Sequence, residues 1–248
     1  MQNPKKNPDK SVVQYPIAAA NTWPIGNILA YVSDNIAKTI PKQRISAVCV
    51  GHSLGSHVCG FFGKMLKGLK SKISLETIFG LDPAGPIFQD DRQHSTLRLD
   101  KDDAFRTVII HTNTKRYGFQ RPVGHTDIFV NGGAQQPWCR TMSKVLQCSH
   151  KYAYLFMVEL TNPTKKERKC TAVWKCNNEA YKKLGKIKKK DKAKLTRLGC
   201  VLQDRRNALQ LGYLTDWRDY SMMRQTKEGI FWVEVGDKSS SCKFPRPK

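Results

Sequence analysis

"GHSLGSHVCG", Gly51 to Gly60, is the stretch whose reading decides the fold. Gly51-His52-Ser53-Leu54-Gly55 fits G-x-S-x-G. In that pattern the serine sits on a sharp, strained strand-to-helix turn that points its hydroxyl outward. The flanking glycines let backbone segments pass without a Cβ clash. Upstream, "RISAVCV" (Arg44–Val50) is a short apolar, β-branched run, as expected of a buried parallel strand. Downstream, "SHVCGFFGKMLKGLK" carries Val58, Phe61, Phe62, Met65 and Leu66 near helical spacing. Strand, elbow, helix is the order that a nucleophilic serine requires.

A serine hydroxyl is too weakly acidic to attack at neutral pH without a base, and the base needs an orienting acid. In α/β-hydrolases these follow in the chain order Ser, Asp or Glu, His. "ETIFGLDPAGPIF" supplies the acid: "TIFG" reads as the next strand, and Asp82 stands just past its end, before the rigid Pro83. Catalytic loop residues collect at that end of an open parallel sheet. The base is ambiguous among six histidines. His52 and His57 flank the serine and suit packing or bonding of the elbow. His94 lies in a polar loop, His111 ends "FRTVIIHT", His125 opens "GHTDIFVNGG" and His150 follows Cys148. Physical chemistry alone says only that the base follows Asp82.

Five stretches in one order narrow the choice: "GHSLGSHVCG", "GLDPAGPIF", "RLDKDDAFRTVIIHTNT", "GHTDIFVNGGAQQPWC" and "CSHKYAY". Together they resemble the pancreatic lipase family, and within it the phospholipase A1 branch of insect venoms. "LGYLTDW" and "EGIFWVEV" resemble the end of the same lipase domain, so the resemblance runs from about Val12 to Val235. It implies an α/β-hydrolase fold, a mostly parallel central sheet with helices on both faces. It implies Ser53 as nucleophile, Asp82 as orienting acid, His150 as general base and the Leu54 N–H as an oxyanion-hole donor. His111 and His125 become structural. The implied contacts are Ser53 Oγ to one His150 nitrogen and Asp82 to the other. No cofactor is expected, and no metal ligand is assigned.

The family carries a disulfide-closed lid before the catalytic histidine, and Cys139 and Cys148 match its ends. Only "RTMSKVLQ" lies between them, and the neighbouring loop "NTKRYGFQRPV" is short as well. In this family short loops go with phospholipases A1, whose sites stay open to bulky headgroups. The expected reaction is therefore cleavage of the sn-1 acyl ester of a phospholipid. Triacylglycerol lipase ranks second, and a non-catalytic lipid-binding relative or inactive fragment third.

A chain of 248 residues suits one sizeable core. Eight cysteines around a paired lid point to an oxidising compartment, hence a secreted, extracellular protein. Cys49 in the central strand and Cys59 in the elbow helix read as buried free thiols. Cys170, Cys176, Cys200 and Cys242 are left for two bridges with three possible pairings. No stretch approaches transmembrane length.

Net charge is +23. It concentrates in "KKERK" (Lys165–Lys169) and in "KKLGKIKKKDKAKLTR" (Lys182–Arg197). The second run holds nine basic residues: Lys182, Lys183, Lys186, Lys188, Lys189, Lys190, Lys192, Lys194 and Arg197. Lying between Cys176 and Cys200, it reads as a tethered surface excursion. It is either a solvated loop or a foot on an anionic membrane surface or sulfated glycan. Nucleic acid is not an expected partner, and a monomer is expected.

Elsewhere, "NTWPIGNILAYVSDNIAKTI" places Ile28, Leu29, Val32, Ile36 and Ile40 on one helix face. Asn21 or Thr22 is its N-cap, and it is expected to pack on the Arg44–Val50 strand. "HKYAYLFMVELTN" reads as a helix with Tyr154, Leu155 and Val158 inward, anchoring a loop that carries His150. "GIFWVEV" reads as a late strand. Arg98, Asp100 and Asp103 match a calcium loop of some family members, but Ser95 stands where those have an acid, which argues against a tight site. Residues 1–11 read as a polar extension, 12–236 as a partial lipase domain and 237–248 as a tail. The first strands of the family's domain are missing, together with the His-Gly loop that gives the second oxyanion N–H and any signal peptide. The expectation is an N-terminally truncated chain, poorly soluble through an unpaired sheet edge and uncovered apolar helix faces.

Overall fold

The computed structural model describes residues 10–41, 43–90, 94–137, 139, 145–161, 172–184, 186, 192–203 and 228–235. Helices α1 (Lys10–Ala20) and α2 (Thr22–Thr39) lead into β1 (Ile45–His52), α3 (Leu54–Gly68) and β2 (Ile73–Leu81). Next come β3 (Arg106–His111), β4 (Thr126–Val130), α4 (Val145–Thr161) and β5 (Ala172–Cys176). Short helices α5 (Tyr181–Leu184) and α6 (Lys192–Arg197), then β6 (Val201–Leu202) and β7 (Gly229–Glu234), complete the order. Among the described residues the strands form one sheet in the order β1-β2-β3-β4-β7-β5-β6. β1 through β4 and β7 pair in parallel, while β5 runs antiparallel to both β7 and β6. This is the mostly parallel α/β-hydrolase sheet expected from the sequence.

Period-2 alternation divides the core. Phe79, Leu81, Val108, Ile110, Ile128, Val130, Phe231 and Val233 share a cluster with Tyr152, Ala153, Phe156 and Met157 of α4. On the other face Ile78 and Ile109 meet Cys59 and Leu66 of α3. Farther along, Phe129, Ile230 and Trp232 meet Leu184 of α5 and Leu195 of α6. β7 is buried through its middle because both its faces are covered, so its sequence runs apolar rather than alternating.

Three expectations are corrected. First, α2 buries the stripe Gly26-Ala30-Ala37 against α3, not its isoleucines. The two backbones approach so closely that a Cβ on Gly26 would lie 2.6 Å from Phe61 Cβ. Small residues therefore select the buried face, and Ile28, Leu29, Val32, Ile36 and Ile40 are exposed. Asn21 occupies the cap position in helical conformation with no side-chain cap bond, and Thr22 Oγ1 donates instead to Ala19 O. Second, Tyr154, Leu155 and Val158 of α4 are exposed. Their stripe and the Ala153–Phe156–Met157 stripe both have helical spacing; the small Ala153 lets the second one sit down on the sheet. Third, Cys49 and Cys59 are not free but bonded to each other.

Cys139–Cys148 and Cys176–Cys200 are also bridged. Cys170 and Cys242 lie outside the described residues. Among the described residues β1 is an edge strand, and Val50 on it is exposed. No helix among them is long and apolar enough to cross a membrane.

Candidate active site

Ser53 links β1 to α3 with φ 57° and ψ −121°, a conformation that L-residues rarely adopt. Gly51 is required here, since a Cβ would meet the Gly55 carbonyl oxygen at 2.2 Å. The elbow is pinned to the neighbouring strand: Ser53 N–H donates to Leu81 O at 3.0 Å, and Ala84 N–H donates to Ser53 O at 3.2 Å. The Cys49–Cys59 disulfide spans the same turn. Leu54 opens α3, so its N–H belongs to the first helical turn, whose donors lack intrahelical partners.

Between those two anchors stands Asp82, fully buried and also at positive φ, 44°. Its Oδ1 accepts from Thr112 N–H at 2.8 Å and Asn113 N–H at 3.0 Å. Its Oδ2 lies 2.6 Å from His150 Nδ1. Two backbone donors fix the plane of the carboxylate, leaving Oδ2 for the imidazole.

His150 rides on α4 itself rather than on a preceding loop, because the helix already begins at Val145, inside the Cys139–Cys148 segment. Arg140 to Lys144 of that segment lie outside the described residues. His52 Nε2 donates to the His150 carbonyl at 3.0 Å, and their rings are 4.5 Å apart. Burial lowers the His52 pKa below the ordinary imidazole value, which keeps this ring neutral. Tyr117 lies 5.6 Å from the His150 ring. The Ser53 hydroxyl makes no hydrogen bond among the described residues, so the expected bond to His150 is not formed. Such contacts often tighten only around substrate.

The other histidines are occupied elsewhere. His57 is buried and stacked on Phe88, 3.7 Å between centroids. Its Nε2 donates to Ala84 O at 2.9 Å and its Nδ1 accepts from Leu99 N–H at 3.1 Å. Burial pushes its pKa down to about 4, consistent with that neutral tautomer. His111 is buried with Nε2 against Asp127 Oδ1 at 2.8 Å and Nδ1 against Phe119 O at 3.1 Å. His125 Nδ1 accepts from Thr107 N–H, and His94 is exposed.

Several supporting residues carried no sequence argument. Buried Gln136 donates through Nε2 to Thr112 O and Val130 O, and its N–H donates to Ser149 Oγ, beside His150. Asn131 bridges Gln136 Oε1 and Val235 N–H. These residues tie the Asp82-binding loop to the helix carrying His150. "NGGAQQPWC" carries part of the family resemblance, but nothing in its spacing marks Gln136 as a hub.

The acidic loop is engaged by cations. Asp103 pairs with Lys64, and Asp100 lies 3.6 Å from Arg98. Of the basic excursion, Lys182 and Lys183 lie on α5, Lys186 just beyond it, and Lys192, Lys194 and Arg197 on α6. Lys188, Lys189 and Lys190 lie outside the described residues, as does Lys165–Lys169.

The Lipase family model matches residues 8–210. The chain belongs to the lipase family. Its relatives in that family include a "Phospholipase A1" of Vespula squamosa, 37% identical over 153 residues, 62% of this chain and 50% of that protein. "Lipase member H-A" of Xenopus laevis is 30% identical over 249 residues, 96% of this chain and 48% of that protein. "Lipoprotein lipase" of Gallus gallus is 30% identical over 210 residues, 72% of this chain and 41% of that protein. The chain spans about half the length of the curated relatives it matches.

Proposed function

We propose that the protein is an extracellular serine hydrolase of lipid esters, of phospholipase A1 type. The observation that carries this reading is the Asp82–His150 pair at 2.6 Å, set beside an elbow serine whose backbone is bonded on both sides of Asp82. In the reaction His150 Nε2 takes the Ser53 proton as Oγ attacks the ester carbonyl. Asp82 holds the Nδ1–H and stabilises the imidazolium, and the Leu54 N–H faces the developing oxyanion. Collapse expels the glycerol oxygen, which takes the proton from His150. Water, activated by the same ring, then frees the fatty acid from the acyl-serine.

Two observations support a phospholipid over a triglyceride. The Cys139–Cys148 span is nine residues in sequence separation, too short to cover much apolar surface. Relatives named phospholipase A1 share 37–39% identity over 146–153 residues. The disulfides support an oxidising, extracellular setting.

The test is hydrolysis of a phosphatidylcholine with different acyl chains at sn-1 and sn-2, read by mass spectrometry. Release of the sn-1 chain is expected. Preferential release of the sn-2 chain, or faster hydrolysis of triolein under matched conditions, would overturn the assignment.

A further inference from the structure

We propose that the groove between the β3–β4 loop and α5 binds the phosphate-bearing headgroup of an anionic phospholipid at the lipid surface. The inference deepens the lipid-ester reading above and rests on it. The groove encloses about 620 Å³, within the usual range for small-molecule sites. Lys115 and Arg121 of the β3–β4 loop face it from one side, Lys182 and Lys186 from the other. No carboxylate lines it among the described residues, and the nearby Glu179 is paired with Lys182 at 3.0 Å. Four cations on a concave surface without a lining acid concentrate positive potential there.

Position argues for a lipid ligand. The β3–β4 loop that supplies Lys115 and Arg121 also supplies the Thr112 and Asn113 N–H groups that hold Asp82. The third wall, at Gln89, belongs to the loop that leaves Asp82. Two walls of the groove thus follow carboxyl ends of parallel strands, the ends at which Ser53 also stands. A membrane presented to the serine brings neighbouring headgroups to these lysines. Tyr181 closes the α5 side. The phosphate of an anionic lipid such as phosphatidylglycerol matches these cations.

The test measures partition of the Ser53→Ala protein onto phosphatidylcholine vesicles with and without phosphatidylglycerol. Lys115→Gln/Arg121→Gln/Lys186→Gln removes three groove charges. Arg44→Gln/Lys70→Gln/Lys72→Gln removes three from the opposite rim, just before the amino ends of β1 and β2. Each basic residue at an anionic surface contributes roughly fivefold to partition. The groove variant should therefore lose about a hundredfold on phosphatidylglycerol vesicles, and the opposite-rim variant far less. The single substitutions Lys115→Gln and Lys186→Gln should each lose about fivefold, which keeps the test sound if the triple variant misfolds. Equal losses from the two triple variants would overturn the proposal, since net charge alone would then explain binding. Lost retention on heparin with vesicle binding intact would overturn it in favour of a sulfated glycan. Turnover of a soluble short-chain ester by the wild-type protein tests the hydrolase reading separately.

Discussion

Gly118 leaves no room for a side chain against Asp82: a Cβ there would stand 2.4 Å from Oδ1 and 2.7 Å from Oδ2. The glycine belongs to the loop whose Thr112 and Asn113 N–H groups grip the same carboxylate. Gly118→Ala should push the carboxylate off His150 without touching Ser53 or His150. A displacement of about 1 Å near reacting groups costs on the order of a hundredfold in rate. Measured kcat/KM on a soluble ester should fall by about that factor while the protein still melts cooperatively. Unchanged turnover would show that the Asp82 position is not critical.

Ser53 holds a left-handed backbone that glycine adopts freely. Such strain costs on the order of 1–3 kcal/mol. Ser53→Gly should therefore raise Tm by about 2–4 °C per kcal/mol recovered, while turnover falls roughly 10⁴–10⁶-fold. A lower Tm for this variant would mean that the elbow stores no strain.

Two buried groups give opposing acid responses. His57 has its pKa depressed from 6.5 to about 4 by burial. Its neutral form contributes stability above the unfolded value that is lost as pH falls from about 6.5 towards 4, about 3 kcal/mol in all. Asp103 has its carboxyl raised from 3.8 to about 6 by burial, against the pull of Lys64. It therefore contributes the opposite sign, stability regained as pH falls from about 6 to 3.8. The two nearly cancel in wild type. Relative to wild type, His57→Gln should gain stability between pH 7 and 4 and Asp103→Asn should lose it. Calorimetric Tm values at the two pH values check this; parallel curves for all three proteins would refute it.

The elbow was legible because a strained serine needs glycine neighbours and a strand before it, and all three leave marks in sequence. Asp82 was legible from its place past a strand end. His150 was not legible from physics: its qualification is the distance to Asp82, and sequence carries no distance. Only the family resemblance singled it out from six histidines. The faces of α2 and α4 were misread because two stripes at helical spacing compete in each, and close approach at Gly26 and Ala153 decides. Cys49 and Cys59 looked like core thiols because both sit among apolar residues; the turn at Ser53 brings their Cα atoms to 5.8 Å.

That disulfide ties β1 to α3 across Ser53. Replacing both cysteines by alanine removes a constraint that native bridges supply at about 2–4 kcal/mol. Tm should drop by roughly 5–10 °C for a chain of this size, with turnover falling further than for loss of a remote bridge. Equal melting of wild type and variant would show that Cys49–Cys59 contributes nothing to the elbow.

The central claim is that Ser53 is a nucleophile activated by His150 and Asp82. Reaction of the folded protein with a fluorophosphonate, followed by peptide mapping, tests it most directly. The account predicts one stoichiometric adduct, on Ser53, formed at least about a hundredfold more slowly in Asp82→Asn, where the imidazole loses its orienting carboxylate. An adduct on a different residue, or a folded protein in which Ser53 stays unlabelled, would contradict it.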